Sequence, residues 1–247
     1  MVKKLLLTSI FTSILVAASP EQIAINLGGS LDAQNYTDEN GNADIEKISK
    51  FLQSSGVLML SSQTPTTLRF DASGGGGGAL LMKAVETAIK AQNFRSYADE
   101  EFINSKNSLS YTIKIRSNRV PDLGRIYENF KTSGIKIENL SKKGSSYSFK
   151  LDISGANLPT ESSGVLKPSK PYFINVSNRA SITILAQGGD KWHPEYRVFD
   201  KDLKVLTSSR ESLPKSSLSI SLPAGAKYLQ VGDAGSLDNI SNGLKFN

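Results

Sequence analysis

The chain of 247 residues contains no cysteine, one histidine (His193) and one tryptophan (Trp192). Without thiols it has no disulfide, no iron–sulfur cluster, no cysteine-ligated zinc and no thiol nucleophile. With one imidazole, any Ser-His-Asp hydrolysis must run through His193, and no Gly-x-Ser-x-Gly segment supplies the nucleophile. Long apolar runs are also missing after the first 18 residues. A hydrophobic content of 38% and a charged content of 21% fit a folded soluble protein and are too polar for several membrane spans.

What is present begins with an address. Lys3 and Lys4 precede the run LLLTSIFTSILVAA, which ends in small residues before Ser19 and Pro20. A basic start, a short apolar stretch and a small-residue site make a secretory signal peptide over residues 1–18. Val16 and Ala18 occupy the two small-residue positions, so the mature chain is expected to start at Ser19. The run is shorter than the ~20 residues that span a bilayer, so no transmembrane span is expected after cleavage. Export without disulfides points to a bacterial envelope protein, periplasmic or, alternatively, extracellular.

The length exceeds the ~100–200 residues of a typical domain, and the pattern divides accordingly. Residues 19–42 hold many turn formers and read as an extended arm. Residues 43–154 read as an α+β domain. A first helix over Ala43–Ser54 carries Ile45, Ile48, Phe51 and Leu52 on one face, with Asn42 as its cap. Strands are expected at Val57–Leu60, Thr66–Phe70, Phe94–Tyr97 and Leu109–Arg116, and a helix follows the glycine run Gly74–Gly78. Pro121 opens a helix that Gly134 closes, and Ile135 and Ile137 begin a strand that a turn returns through Tyr147, Phe149, Leu151 and Ile153. From residue 66 to 140 the order is strand, helix, strand, strand, helix, strand. That is the split β-α-β arrangement of ferredoxin-like folds, with the return strand extending the sheet.

Residues 155–171 hold three prolines and no periodicity and read as a linker. Beyond it, seven short strand candidates lie between residues 172 and 247 without a helical stripe, which predicts an all-β sandwich domain. No motif in either domain is specific enough to name a family.

Three constellations bear on chemistry. The glycine run lacks Gly-Lys-Ser/Thr, so it is a weak phosphate-loop candidate and a better flexible connection. The segment Asp38–Asp44 starts like a calcium loop, but Ala43 stands where Gly is needed and Ser49 where the bidentate Glu belongs; no metal or other cofactor is expected. The loop with Asp190, Trp192, His193 and Tyr196 can either present an aromatic plane to a sugar or place Trp192 as a plug in the sandwich core.

Charge is uneven. Residues 19–108 carry a net −4, residues 109–154 a net +5, and residues 155–247 a net +3. The basic stretch contains Lys114, Arg116, Arg119, Lys142 and Lys143, a candidate face for anionic envelope polymers or headgroups. Export and the missing aromatic-glycine signature argue against nucleic acid. With no convergent acid, base and nucleophile, the sequence points to a non-enzymatic envelope interaction or assembly module. A glycan-binding protein is the alternative, and a hydrolase built on His193 or on distant carboxylates comes third.

Overall fold

In the computed structural model, which describes residues 17–32, 35–59, 64–73, 77–94, 97–105, 108–116, 119–161 and 163–247, Ser19 and Pro20 open a helix where an extended arm was expected. Helix α1 spans Pro20–Asn26; the Ser19 hydroxyl accepts the Gln22 N–H, and Pro takes the first position, where its missing N–H costs nothing. Ile23, Ala24 and Leu27 are buried. Most of the expected signal peptide, residues 1–16, lies outside the described residues, as do Gly74–Gly76 of the glycine run.

Helix α2 (Ile45–Ser54) buries Ile45, Ile48 and Leu52, as the periodicity predicts. Its cap is Asp44 instead of Asn42, with the carboxylate accepting the Lys47 N–H at 3.0 Å. Residues 57–59 form no strand. The Val57 and Leu58 amides both bond to the Leu52 carbonyl and close the helix, and Leu60 lies outside the described residues. Helix α3 (Gly78–Lys90) turns Leu81, Val85, Ala88 and Ile89 inward. In helix α4 (Leu123–Thr132), Asp122 caps the first turn where Pro121 was expected to open it, and Leu123, Ile126, Tyr127 and Phe130 are buried. Gly134, at φ +67°, ends it.

Among the described residues the strands of this unit are β1 (Thr66–Ser73), β2 (Tyr97–Ser105), β3 (Ser108–Ile115), β4 (Lys136–Lys143) and β5 (Ser146–Asp152), in the order β2-β3-β1-β5-β4. Strand β5 is not an outer extension. It runs parallel to β1 and takes the place beside it, which leaves β4 at the edge. Buried residues lie on one sheet face, Leu68 and Phe70 from β1, Tyr111, Ile113 and Ile115 from β3, and Tyr147, Phe149 and Leu151 from β5. Phe70 stacks on Phe149 at 4.9 Å and meets the edge of Phe130 at 5.9 Å, joining sheet to α4. The opposite face carries Thr67, Arg69, Asp71, Lys114 and Lys150 and is open.

Residues 155–161 contain no helix or strand, but they are docked: Ala156 and Leu158 are buried in the core of the first unit. The remaining strands are β6 (Tyr172–Asn175), β7 (Ser181–Ala186), β8 (Pro194–Phe199), β9 (Val205–Arg210), β10 (Ser217–Ser221), β11 (Tyr228–Asp233) and β12 (Leu244–Phe246). They form two antiparallel sheets, β10-β7-β12 and β6-β11-β8-β9. One core joins them, with Ile182, Ile184 and Ile220 from the first and Tyr172, Val198, Leu229 and Val231 from the second. The chain is thus mixed α and β, with several sheets. Among the described residues no helix is long and apolar enough to cross a membrane.

Candidate functional site

One end of the five-stranded sheet gathers most of the predicted cationic residues. Register places Thr66 of β1 opposite Ile115 of β3, and Thr67 opposite Ser146 of β5, which pairs in turn with Lys143 of β4. Arg116 therefore leaves β3 at the same end as Lys142, Lys143 and the Gly144–Ser145 turn. That hairpin closes in two residues because Gly144 takes φ +59°, a left-handed conformation that costs glycine little. Arg116 and Lys143 are exposed. Arg119 lies over the Phe94 ring, 5.8 Å from its centre. Lys114 is set apart: it sits on the open face with its Nζ 3.2 Å from Glu100 Oε1.

No aspartate or glutamate occurs in residues 64–70, 119–121 or 140–149; β2 also reaches this end, where Tyr97 pairs with Ile115, and Asp99 follows two residues along it. Clustered cations raise the local potential toward anions, most strongly where a low-dielectric wall keeps water from one side. Such a wall exists. Met59, Thr64, Thr66, Val120, Lys142, Gly144, Ser145 and Tyr147 line a cavity of about 340 Å³.

Lys142 reaches this cavity through its register. It pairs with Tyr147, whose ring belongs to the core, so the lysine occupies an inward-facing position at the rim of the helix-covered face. Tyr147 is 2% exposed, and burial raises its phenol above the ordinary value, so it stays a neutral donor at neutral pH. Thr66 is wholly buried, and its Oγ1 has no hydrogen-bond partner. A buried hydroxyl left unpaired is costly in free energy, which makes it conspicuous beside a cavity. Among the described residues the donor set of one ammonium and several hydroxyls, with no carboxylate, suits an oxyanion and does not suit a metal cation.

The predicted aromatic site does not assemble. Trp192 is 0% exposed in the core of the second unit, and its backbone is tied to Lys215 by hydrogen bonds of 3.0 and 2.8 Å. The indole fills the core, so it offers no face to a sugar. His193 is partly exposed, but its amide donates to Asp233 Oδ2 at 2.8 Å while its Nδ1 stands 4.0 Å from the same oxygen, too far for a hydrogen bond. Asp233 is committed to backbone amides of His193, Gly235 and Ser236. Asp190 holds Asn242 through two bonds of 2.9 Å and is a loop clamp. Tyr196 packs partly against the core and lines a separate groove of about 250 Å³ with Glu195, Arg197 and Gln230.

Asp38 is likewise occupied. Its Oδ1 accepts the Asn40 and Asn42 amides at 2.9 Å, and its Oδ2 accepts the Tyr127 hydroxyl at 3.1 Å, so the calcium-like segment is a turn built around a carboxylate. Sequence reasoning missed Thr66, Tyr147, Met59 and Val120 as neighbours of Lys142, because they come from four separate segments. No family model matches this chain, and no curated protein and no solved structure matches it either.

Proposed function

We propose that this is an exported, non-enzymatic protein of a bacterial envelope that acts as an interaction or assembly module, residing in the periplasm. Residues 1–18 are its export signal, supported by their basic, apolar and small-residue order. In this reading the first unit is a ferredoxin-like variant with the hairpin strand inserted beside β1. The second is a β-sandwich, and both serve as scaffolds. The observation that carries the reading is the cationic end of the sheet, where register brings Arg116, Lys142 and Lys143 to the same side. It supports an anionic envelope polymer or surface as the partner. The glycan alternative depends on Trp192, whose burial removes its aromatic platform.

The test is retention on an immobilised polyanion such as heparin across a salt gradient. Arg116→Glu combined with Lys143→Glu should elute at clearly lower salt than the parent, whereas a control reversal of Lys201, far from this end, should not. Equal elution of the parent and the double variant would sink the reading. Export is checked separately by mass spectrometry of the mature chain, which should begin at Ser19.

A further inference from the structure

Beyond a diffuse cationic surface, the cavity beside Lys142 has the features of a site for one group. Among the described residues its lining contains a lysine and no acid. Among the described residues Lys142 makes no ion pair. Thr66, fully buried on the wall, keeps an unpaired Oγ1. Ser145 and Tyr147 add hydroxyls on the hairpin side, and Met59 and Val120 add an apolar flank, with Met59 61% exposed at the mouth.

Each feature narrows the ligand. A compact ammonium binds phosphate as a point charge, and a lining that adds the hydroxyl-bearing Thr66, Ser145 and Tyr147 to it suits a tetrahedral oxyanion. The volume of about 340 Å³ exceeds what a bare oxyanion fills, and the apolar flank suits carbon attached to it. The inward register of Lys142 also matters. A lysine placed in the row of Leu140 and Tyr147 loses hydration on its stem side, and an anion in the cavity would compensate.

We propose that this cavity binds a phosphoryl group carried on an organic moiety, with Lys142 as its counter-charge and Thr66 Oγ1 as a buried hydrogen-bond partner. This rests on the anionic-partner reading above and specifies its deepest contact. The phosphoryl group can belong to a lipid headgroup or to a soluble phosphate ester, and the chemistry at the cavity is the same.

The experiment titrates the full-length mature chain with inorganic phosphate, following amide signals of Thr66, Gly144, Ser145 and Tyr147 by NMR. It then measures co-sedimentation with vesicles of phosphatidylglycerol against vesicles of phosphatidylcholine alone. Phosphate is expected to move these amides saturably. Lys142→Met and Thr66→Val should each weaken binding by about tenfold, the scale of one lost hydrogen bond to a charged group. Sedimentation with phosphatidylglycerol that depends on Lys142 assigns the source to a headgroup, and phosphate binding without sedimentation assigns it to a soluble ester. Unmoved amides, or phosphate binding unchanged in both variants, overturns the site. Heparin retention separates the two readings, since it survives failure of the cavity and is lost in the Arg116→Glu, Lys143→Glu chain only if the surface reading holds.

Discussion

The hydroxyl of Tyr228, on β11 of the second unit, accepts the backbone N–H of Leu158 at 2.9 Å, and both residues are buried. Tyr228 faces away from its own sheet's core. Its neighbour Leu229 packs inside the second unit, while its ring stacks on Phe173 at 5.0 Å and joins the core of the first. Lys227 reinforces the seam by donating to the Ala156 carbonyl at 2.9 Å. Tyr228→Phe leaves the Leu158 amide without its partner in a buried place, which should cost about 1–3 kcal/mol. Thermal denaturation should show the loss, and limited proteolysis should open first within residues 155–161.

Trp192, as the sole tryptophan, makes its own burial measurable. Its emission should be blue-shifted and poorly quenched by iodide in the native chain, with a red shift on unfolding. Trp192→Ala should destabilise by about 3–5 kcal/mol through the cavity left in the core. An emission maximum already at the water-exposed position in the native state would contradict the structure.

Asp233 ties acid stability to the loop after β11. Burial alone would raise its pKa, but the amides of His193, Gly235 and Ser236 outweigh that and hold it below the ordinary carboxylate value. A folded pKa below the unfolded one means the stabilisation is fully present above the unfolded carboxyl pKa and is lost as pH falls through the folded value. Asp38 is lowered for the same reason, by the Asn42 and Asn40 amides. Asp233→Asn should lower the melting temperature near neutral pH and flatten its fall in the acid range below about pH 4, where the parent protonates.

Thr66 offers a separation of stability from binding. Val has the shape of Thr without the hydroxyl, and removing an unpaired buried polar atom should stabilise the fold by roughly 1 kcal/mol or more. Chemical denaturation of Thr66→Val should therefore show a higher midpoint even as phosphate binding weakens. A residue serving structure alone would not show these opposite signs.

Gly134 must be glycine. Its φ of +67° is a left-handed conformation, and a Cβ there would stand 2.5 Å from the Gly155 carbonyl oxygen. Gly134→Ala should cost at least about 1 kcal/mol from backbone strain, with the contact adding to it. The variant should melt earlier, and the α4–β4 corner should lose hydrogen-exchange protection first.

Much of this architecture is readable along the chain. The strand candidates after residue 171 fall within a few residues of β6 to β12, because each is a short alternating run bounded by turn formers. Helix α1 was not readable: Ser19 and Pro20 also resemble the end of a signal peptide, and a helix of seven residues has little room for a period. The position of β5 was hidden too, since the same hairpin can place its second strand outside or inside β4, and only packing against β1 chooses. Lys142 illustrates the limit for the site. Alternation from Ile135 and Ile137 puts Lys142 on the solvent side, but a register shift between Ile137 and Asn139 returns Leu140 and Lys142 to the inner face.

Local chemistry along the chain determines the helical stripes of α2, α3 and α4, the run of β strands after residue 171, and the cationic content of residues 109–154, because each depends on neighbours within a few residues. Tertiary structure alone decides that Trp192 is a core plug, that β5 lies beside β1, and that Thr66, Lys142 and Tyr147 share one cavity. Those outcomes depend on strand register and on which surfaces bury each other, quantities that couple residues far apart in the chain.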